Sequence, residues 1–282
     1  MFANITKKSA ERRVALTIAG FDPSSGAGVT ADLKVFAAHQ LYGIAAITAL
    51  TVQSTQGVGR SQAVSPQFLS ETLESLAADI AISGIKIGML ATAEIVSAVA
   101  TFLVASGIPR DRIVLDPIIR SSSGRALLDS GGVDRLSSEL LSRIGWVTPN
   151  LDELAELIGR DISDRDSIAV AASELGASHP GLNIVVTGGH LDPPDDFLLI
   201  ADGAEHWFPG QKIETSATHG TGCTFSSALL AQLITGSAPV EAVAKAKEYV
   251  QAAMERAYPL GKGRGPLNHL YRLDQSWGFS GP

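Results

Sequence analysis

The sequence has a single cysteine among its 282 residues and no long hydrophobic run. One cysteine excludes an internal disulfide and a cysteine-rich zinc site. No apolar stretch approaches the roughly 20 residues that a membrane-spanning helix requires. Basic residues are also scarce, since 22 Lys and Arg against 29 Asp and Glu give a net charge of −7, and a nucleic-acid-binding surface needs the opposite balance. We therefore expect a cytoplasmic protein that has neither a nucleic acid nor a membrane as its partner.

What the sequence does contain is an alternation of short apolar runs with longer amphipathic stretches. Short runs predict strands at 14–20, 43–50, 85–90, 112–116, 144–148 and 183–187. Helical patterns separate them, which predicts an α/β fold with a mostly parallel central sheet covered by helices on both faces. No linker interrupts this pattern, so we expect a single domain over residues 1–282, with flexible tails at 1–12 and 274–282.

The strongest chemical motif is THGTGCT at residues 218–224, just before a helical pattern. Small residues at a helix N-terminus leave backbone N–H groups open to a phosphate or a phosphoryl group in transfer. A tight turn that only caps the helix is the alternative. Cys223 lies in the predicted first turn, where a helix N-terminus lowers a thiol pKa. It is either a general base that removes a hydroxyl proton or a small buried hydrophobic residue.

Loops after other predicted strands also carry chemistry. The loop GFDPSSGAG at 20–28 lets a ligand approach the backbone, but it is neither a Walker A loop nor a GxGxxG fingerprint. Gln53 has a carboxamide that can pair with a ring nitrogen beside an exocyclic amine, although a plain loop glutamine is the alternative. Asn150 and Glu153 share one helix face, where they could be oxygen ligands of Mg²⁺, a capping box, or both.

Together these motifs resemble the hydroxymethylpyrimidine/phosphomethylpyrimidine kinases of thiamine biosynthesis, in the ribokinase-like superfamily. The resemblance runs from about residue 14 to 269 and rests on LTIAGFDPSSGAGVTADLKVF, ITALTVQSTQGV, IKIGML, LDPIIRSSSG, VTPNLDELAEL and THGTGCTFSSAL. It implies a three-layer α/β/α sandwich. It also implies two ATP-dependent phosphorylations, first of 4-amino-5-hydroxymethyl-2-methylpyrimidine and then of its monophosphate to the diphosphate. Mg²⁺ and a homodimer are further implications.

The resemblance assigns residues to the regions of one site. Gln53 and Asp32 would contact the aminopyrimidine edge. The remaining pocket residues would be Gly20, Ala27, Thr51 and Met89. The anion hole would consist of Gly220, Thr221, Gly222 and Cys223. Mg²⁺ would be held by Asn150 and Glu153, directly or through water. The nucleotide phosphates would meet Thr187, Gly188, Gly189 and Arg120.

One position departs from the family pattern. The strand before Gly188 usually ends in a lysine that binds phosphate, but here it ends in Thr187. Arg120 or Arg125 could supply the missing charge, since arginine binds phosphate through two parallel hydrogen bonds; a solvent-facing loop arginine is the alternative.

Other functions are also consistent with the motifs. A pyridoxal or pyridoxamine kinase is the nearest of them. A sugar kinase fits less well, because sugar kinases of the superfamily carry Asp where this chain has Cys223. A regulatory protein that binds the pyrimidine without catalysis is a rival of another class, and Thr187 is its motivation.

Overall fold

A mixed sheet forms the centre of the protein. The computed structural model describes residues 12–121, 124–189 and 191–277. In that part of the chain the strands follow the order β3-β2-β1-β4-β5-β6-β7-β8-β9. Their bounds are β1 Val14–Phe21, β2 Tyr42–Ser54, β3 Gly57–Ala63, β4 Gly84–Ile87, β5 Ile113–Leu115, β6 Trp146–Val147, β7 Asn183–Val186, β8 Asp196–Leu199 and β9 Glu205–Phe208. The strands from β2 to β7 in this order are parallel, and β3, β8 and β9 add antiparallel edges.

Helices cover both faces of this sheet. Their bounds are α1 Gly28–Ala38, α2 Pro66–Asp79, α3 Ala93–Ser106, α4 Ser130–Arg135, α5 Leu151–Ile158, α6 Arg165–Ser178, α7 Thr221–Thr235, α8 Pro239–Glu255 and α9 Tyr271–Trp277. Within the described residues, no helix combines the length and the apolar character needed to cross a membrane.

The alternation of side chains along each strand explains the three layers. In β5, Ile113 and Leu115 point to one face, where they pack with the apolar faces of α2, α3, α5 and α6. Val114 points to the other face, where α1, α7 and α8 pack. The same alternation recurs in β1 and β7, so each strand contributes to two separate cores. The predicted α/β/α sandwich with a mostly parallel sheet is confirmed.

The structure differs from the predicted elements at three points. The second strand runs on to Ser54 and returns as β3, an antiparallel hairpin that we did not predict. Where the apolar pattern predicts one helix over 133–141, the structure has the short helix α4, Ser130–Arg135, which continues as a π-helical turn, Leu136–Leu140. The tail predicted from residue 274 begins too early, because α9 runs to Trp277 and Asp274 accepts a 2.7 Å hydrogen bond from Asn268. Residues 1–11 and 278–282 lie outside the described residues.

A fully buried ion pair joins the elements beneath the sheet's carboxyl edge. Lys86 Nζ on β4 lies 3.1 Å from both carboxylate oxygens of Asp32 on α1. Asp32 also accepts hydrogen bonds from Thr17 on β1 (2.6 Å) and from Ser227 on α7 (2.8 Å). Burial alone would lower the pKa of Lys86, but the surrounding negative charges, Asp32 foremost, and the hydrogen bond to Asp32 together outweigh burial and raise it, so the ammonium stays charged. Two strands and two helices therefore share one charged contact.

We predict that Lys86→Met destabilises the protein strongly, because it leaves the Asp32 carboxylate buried without its partner. The free energy of unfolding, measured by urea titration, should fall by about 3–5 kcal/mol. Lys245→Met is the matched control, since Lys245 pairs with Glu241 at the exposed surface of α8, and it should cost less than about 1 kcal/mol. Similar losses in the two variants would contradict the prediction.

Candidate active site

The carboxyl ends of the parallel strands open on one cavity of about 430 Å³. Ligands of open parallel sheets bind at this edge, because the loops that follow the strands converge there. The structure brings most of the predicted site residues to this cavity. Those that line it are Gly20, Ala27, Thr51, Gln53, Met89, Arg120, Asn150, Glu153, Thr187, Gly220, Thr221, Gly222 and Cys223. What each of them binds stays a prediction.

The polar end of the cavity is built on the extension of β2. The Thr51 hydroxyl donates to the carbonyl of Phe21 over 2.9 Å, and Thr51 Oγ1 lies 3.1 Å from the Gln53 carboxamide oxygen. Alternate residues of a strand face the same side, so the extension of β2 to Ser54 brings both side chains to the cavity. The sulfur of Met89 packs close to the backbone of Gly20, since a Cβ added to Gly20 would lie 2.9 Å from it.

The anion site predicted from THGTGCT lies at the N-terminus of α7. Gly220 precedes the helix with φ +87°, and a Cβ there would lie 1.9 Å from the carbonyl oxygen of Gly26. Only glycine fits both the left-handed backbone and this contact. No side chain caps the helix at Gly220, and the first N–H groups of a helix have no partner within it. They are therefore available to an anion in the cavity.

Cys223 does not have the lowered pKa that its position in the first turn predicts. Its side chain is buried, with 6% of the residue exposed. Burial raises the pKa of the thiol to about 12, and the nearby charges of Asp116 and Asp32 raise it further against the opposing effect of Lys86. Of the two alternatives for Cys223, a general base or a small buried residue, the structure favours the buried residue, because loss of hydration outweighs the effect of the helix end on the thiol pKa. The thiol is protonated at neutral pH.

Two buried carboxyl groups lie beside the anion site. Burial raises the pKa of Asp116 to about 6, and burial together with the charge of Asp116 raises the pKa of Glu153 well above its ordinary value. A Cβ on Gly222 would lie 3.6 Å from Asp116 Oδ2, so this carboxylate lies under the first turn of α7. An incoming phosphate would therefore meet negative charge as well as the helix end.

Asn150 and Glu153 form the capping box that their spacing allows. The Asn150 side chain accepts from the Glu153 N–H over 2.9 Å, and Glu153 Oε2 accepts from the Asn150 N–H over 2.9 Å. The cap engages Asn150 Oδ1 and one Glu153 oxygen. Within the described residues, no group of three or more His, Cys, Asp or Glu side chains could hold a metal by itself. A metal here would need further oxygens from a ligand or from water.

Three predicted contacts do not reach the cavity. Asp32 is fully buried in its pair with Lys86, so its predicted contact with a ligand is wrong. Gly188 is buried and donates its N–H to Asp196 over 2.8 Å, and Gly189 is exposed outside the cavity lining. Arg120 does line the cavity, whereas Arg125 does not and points toward the carbonyl of Val58.

Several residues that shape the site were missed from the sequence. Lys86 interrupts an otherwise apolar strand, and because a lysine is almost never buried unpaired, the sequence could have indicated a buried acidic partner. Asp116 directly follows a strand, at the edge where ligands gather. Asp22 and His219 are 197 positions apart, yet His219 Nε2 lies 2.8 Å from Asp22 Oδ2. No local pattern indicates that contact.

A cavity with a helix-end anion site at the carboxyl edge of a parallel sheet defines the class of the protein as a ribokinase-like kinase. A family model described as phosphomethylpyrimidine kinase matches residues 22–268. The chain belongs to the phosphomethylpyrimidine kinase family, and it is therefore a phosphotransferase.

Named relatives agree with this family. A bifunctional thiamine biosynthesis protein of Geobacter sulfurreducens is 40% identical over 90% of this chain, which spans about half (52%) of that longer protein. A hydroxymethylpyrimidine/phosphomethylpyrimidine kinase of Haemophilus influenzae is 39% identical, covering 90% of this chain and 95% of its own. Among solved structures, the ADP complex of Bacillus subtilis pyridoxal kinase is similar with a TM-score of 0.83 and 30% identity, over 93% of this chain and 99% of the other.

We predict that alkylation of Cys223 accelerates with pH without levelling off below pH 10. A thiol with a pKa near 12 gains thiolate about tenfold per pH unit over this range, whereas an ordinary thiol levels off above about pH 9. Iodoacetamide labelling in EDTA, followed by mass spectrometry, measures one site because the chain has one cysteine. The urea-unfolded chain is the control and should level off. A plateau below about pH 10 in the folded protein would contradict the raised pKa.

Proposed function

We propose that the protein transfers the γ-phosphoryl group of ATP to 4-amino-5-hydroxymethyl-2-methylpyrimidine, and then to the monophosphate to give the diphosphate, for thiamine biosynthesis. The observation that carries this proposal is the pairing of a carboxamide and a helix N-terminus in one cavity. Gln53 and the helix start at residues 220–223 both line this cavity. The first matches a polar heteroaromatic ring, and the second matches the charge of a phosphoryl group in transfer.

Gln53 supports an aminopyrimidine as the substrate. A carboxamide offers a donor and an acceptor side by side, which complement an exocyclic amine and the adjacent ring nitrogen. Met89 and Ala27 supply apolar contact for the faces of the ring. With the ring held there, the hydroxymethyl group would face the start of α7.

The two buried carboxyl groups beside the start of α7, Asp116 and Glu153, support Mg²⁺ as a cofactor. Asp116 and Glu153 are hard oxygen donors whose pKa values are raised mainly by burial, so a cation beside them would favour their charged forms. Mg²⁺ is commonly held by one or two carboxylates, water and substrate phosphates. When bound, Mg²⁺ would neutralise charge on the phosphates. Asp116 and Glu153 would hold it, directly or through water, and the capping box would fix Glu153 in place. Asn150 would then act through Glu153.

The chain itself contributes mainly position and charge. Phosphoryl transfer has a loose transition state with little need for covalent help, so alignment and electrostatic stabilisation dominate. The N–H groups at the start of α7 would stabilise the equatorial oxygens of the transferring group. Because the Cys223 thiol is protonated at neutral pH, we infer that it shapes this anion hole and can donate a weak hydrogen bond, while a role as general base is disfavoured.

The second candidate is a pyridoxal kinase, which the similarity to the Bacillus subtilis enzyme favours.

We also propose a cytoplasmic homodimer. The outward face of the β2–β3 hairpin exposes Leu50 and Val52, more than half of each, and a second copy would cover these side chains. Light scattering would test the dimer.

ATP turnover with Mg²⁺ tests the function directly. The acceptors to compare are the hydroxymethylpyrimidine, its monophosphate, pyridoxal and pyridoxamine, with products identified by mass. We expect the monophosphate and diphosphate of the pyrimidine to form at rates at least about tenfold above those on pyridoxal, because Gln53 can form two hydrogen bonds to the aminopyrimidine. Preference for pyridoxal would move the protein to the second candidate. No turnover on any of them would favour the regulatory binder.

We predict that Arg120→Ala raises the KM for ATP about fivefold to tenfold, with a smaller effect on kcat. Arg120 lines the cavity, and its side chain is 57% exposed with an ion pair of 3.5 Å to Glu156. An exposed ion pair is weak, so the guanidinium can turn toward a phosphate that Thr187 cannot bind as a lysine would. Arg125→Ala is the matched control from the same loop and should leave the KM unchanged. An unchanged KM in Arg120→Ala would show that another group replaces the family lysine.

A further inference from the structure

Three polar side chains from distant parts of the chain meet at the polar end of the cavity. His219 Nε2 lies 2.8 Å from Asp22 Oδ2 and 3.1 Å from the carboxamide nitrogen of Gln53. All three residues line the cavity. The imidazole is wedged in place, since a Cβ on Gly26 would lie only 2.4 Å from its Cδ2. One ring nitrogen, Nε2, therefore contacts both Asp22 and Gln53. Whether it carries a hydrogen determines whether each partner must accept or donate.

Asp22 settles where that hydrogen is. Its carboxylate is 3% exposed and accepts from the Ser24 N–H (2.8 Å), the Ser24 hydroxyl (2.7 Å), the Gly26 N–H (3.2 Å) and the Ala27 N–H (2.9 Å). Burial alone would raise the pKa of Asp22, but hydrogen bonds from His219 and Ser24 outweigh it and hold that pKa below its ordinary value. The group is thus an ionised acceptor at neutral pH. His219 Nε2 must carry a hydrogen to meet it.

This hydrogen constrains Gln53. An Nε2–H group cannot face the amide NH₂ of Gln53, because both are donors. Rotation of the carboxamide by 180° exchanges its oxygen and nitrogen without changing the outline of the side chain. The oxygen then accepts from His219, and the nitrogen faces Thr51 Oγ1, 3.1 Å away.

Thr51 favours the same orientation. Its single hydroxyl hydrogen is used by the Phe21 carbonyl at 2.9 Å, so toward Gln53 it has a lone pair and not a donor. In this orientation the single Nε2–H of His219 is shared between Asp22 Oδ2 and the Gln53 oxygen, and each contact joins a donor to an acceptor. In the reverse orientation two donors face each other at His219, a conflict that sharing a hydrogen cannot relieve. One N–H and one lone pair of Gln53 then remain for a ligand, in a fixed order.

We propose that His219, anchored by Asp22, is the positioning residue that orients the Gln53 carboxamide and thereby selects a ring that carries an amine beside a ring nitrogen. An aminopyrimidine meets both remaining groups of Gln53. A pyridine ring without that amine meets at most one. The inference rests on the proposed function, because it concerns the ring that Gln53 binds, and it adds a residue that acts through Gln53 and not on the phosphoryl group.

Binding calorimetry on three variants tests the proposal. His219→Phe keeps a flat ring but removes the hydrogen bonds. His219→Gln can return an N–H close to the position of Nε2. His206→Phe, on the edge strand β9 and outside the cavity, is the matched control. The ligands are the hydroxymethylpyrimidine and pyridoxal, without nucleotide.

We expect His219→Phe to bind the pyrimidine about tenfold more weakly, as the loss of one oriented hydrogen bond implies. Its affinity for pyridoxal should change by less than about threefold on the same scale. His219→Gln should recover most of the loss, and His206→Phe should match the wild type. In turnover, the KM for the pyrimidine should rise while kcat changes little, since His219 does not touch the transferring group.

The outcomes separate the two proposals. If the wild type binds no pyrimidine, the proposed function fails and this inference fails with it. If the wild type binds the pyrimidine and His219→Phe binds it equally well, only the inference fails. Equal losses for both ligands would also overturn it, since they indicate a general structural role.

A measurement on the wild type decides the matter even where a variant does not fold. Nitrogen-15 NMR of histidine-labelled protein distinguishes a protonated Nε2 from an unprotonated one. We expect Nε2 of His219 to carry the hydrogen that Asp22 accepts, both in the free protein and with the pyrimidine. An unprotonated Nε2 would reverse the orientation of Gln53 and overturn the proposal.

Discussion

The buried pair of Lys86 and Asp32 is the contact on which the site depends. Removing two charges from water is costly, and their mutual attraction repays this only with good geometry and additional hydrogen bonds. Here Thr17 and Ser227 supply those hydrogen bonds. Ser227 lies one turn after Cys223 on α7, so the pair also fixes the helix whose first turn is the proposed anion site. The position of that turn is thus set by a buried contact outside the cavity.

The cavity carries charge of both signs, which favours a ligand that carries both a phosphate and a cation. The start of α7 provides partial positive charge, while Asp116 and Glu153 provide negative charge that burial makes expensive to maintain. Thr187 is uncharged, and the arginines that line the cavity, Arg120 and Arg264, lie in loops. Under the proposed function, fixed hydrogen bonds hold the acceptor, and the bound nucleotide and metal complete the charge around the phosphates.

The sequence predicted the layers well because the apolar periodicity of strands and helices is local. It missed the β2–β3 hairpin, because polar and apolar residues alternate too weakly around the paired residues Val52 and Arg60 to indicate two strands. Gly220 and Cys223 were assigned to the cavity correctly, because small residues just before a helical pattern indicate an anion site from neighbouring residues alone. Asp32 was misplaced and Lys86 overlooked for the opposite reason. Their partners lie on other elements, and burial, which also reversed the expected pKa of Cys223, is a property of the folded protein.

The contact between Asp22 and His219 joins the first and last thirds of the chain, and this has a consequence for synthesis. A ribosome releases the chain from its N-terminus. Gln53, Met89 and the Asp32–Lys86 pair emerge well before residues 219–227. Until then Asp22 lacks its imidazole, and Asp32 lacks the hydroxyl of Ser227. The nascent protein thus carries part of its pocket before either carboxylate has its last hydrogen bond, and the site is complete only when α7, one of the last helices to be made, docks.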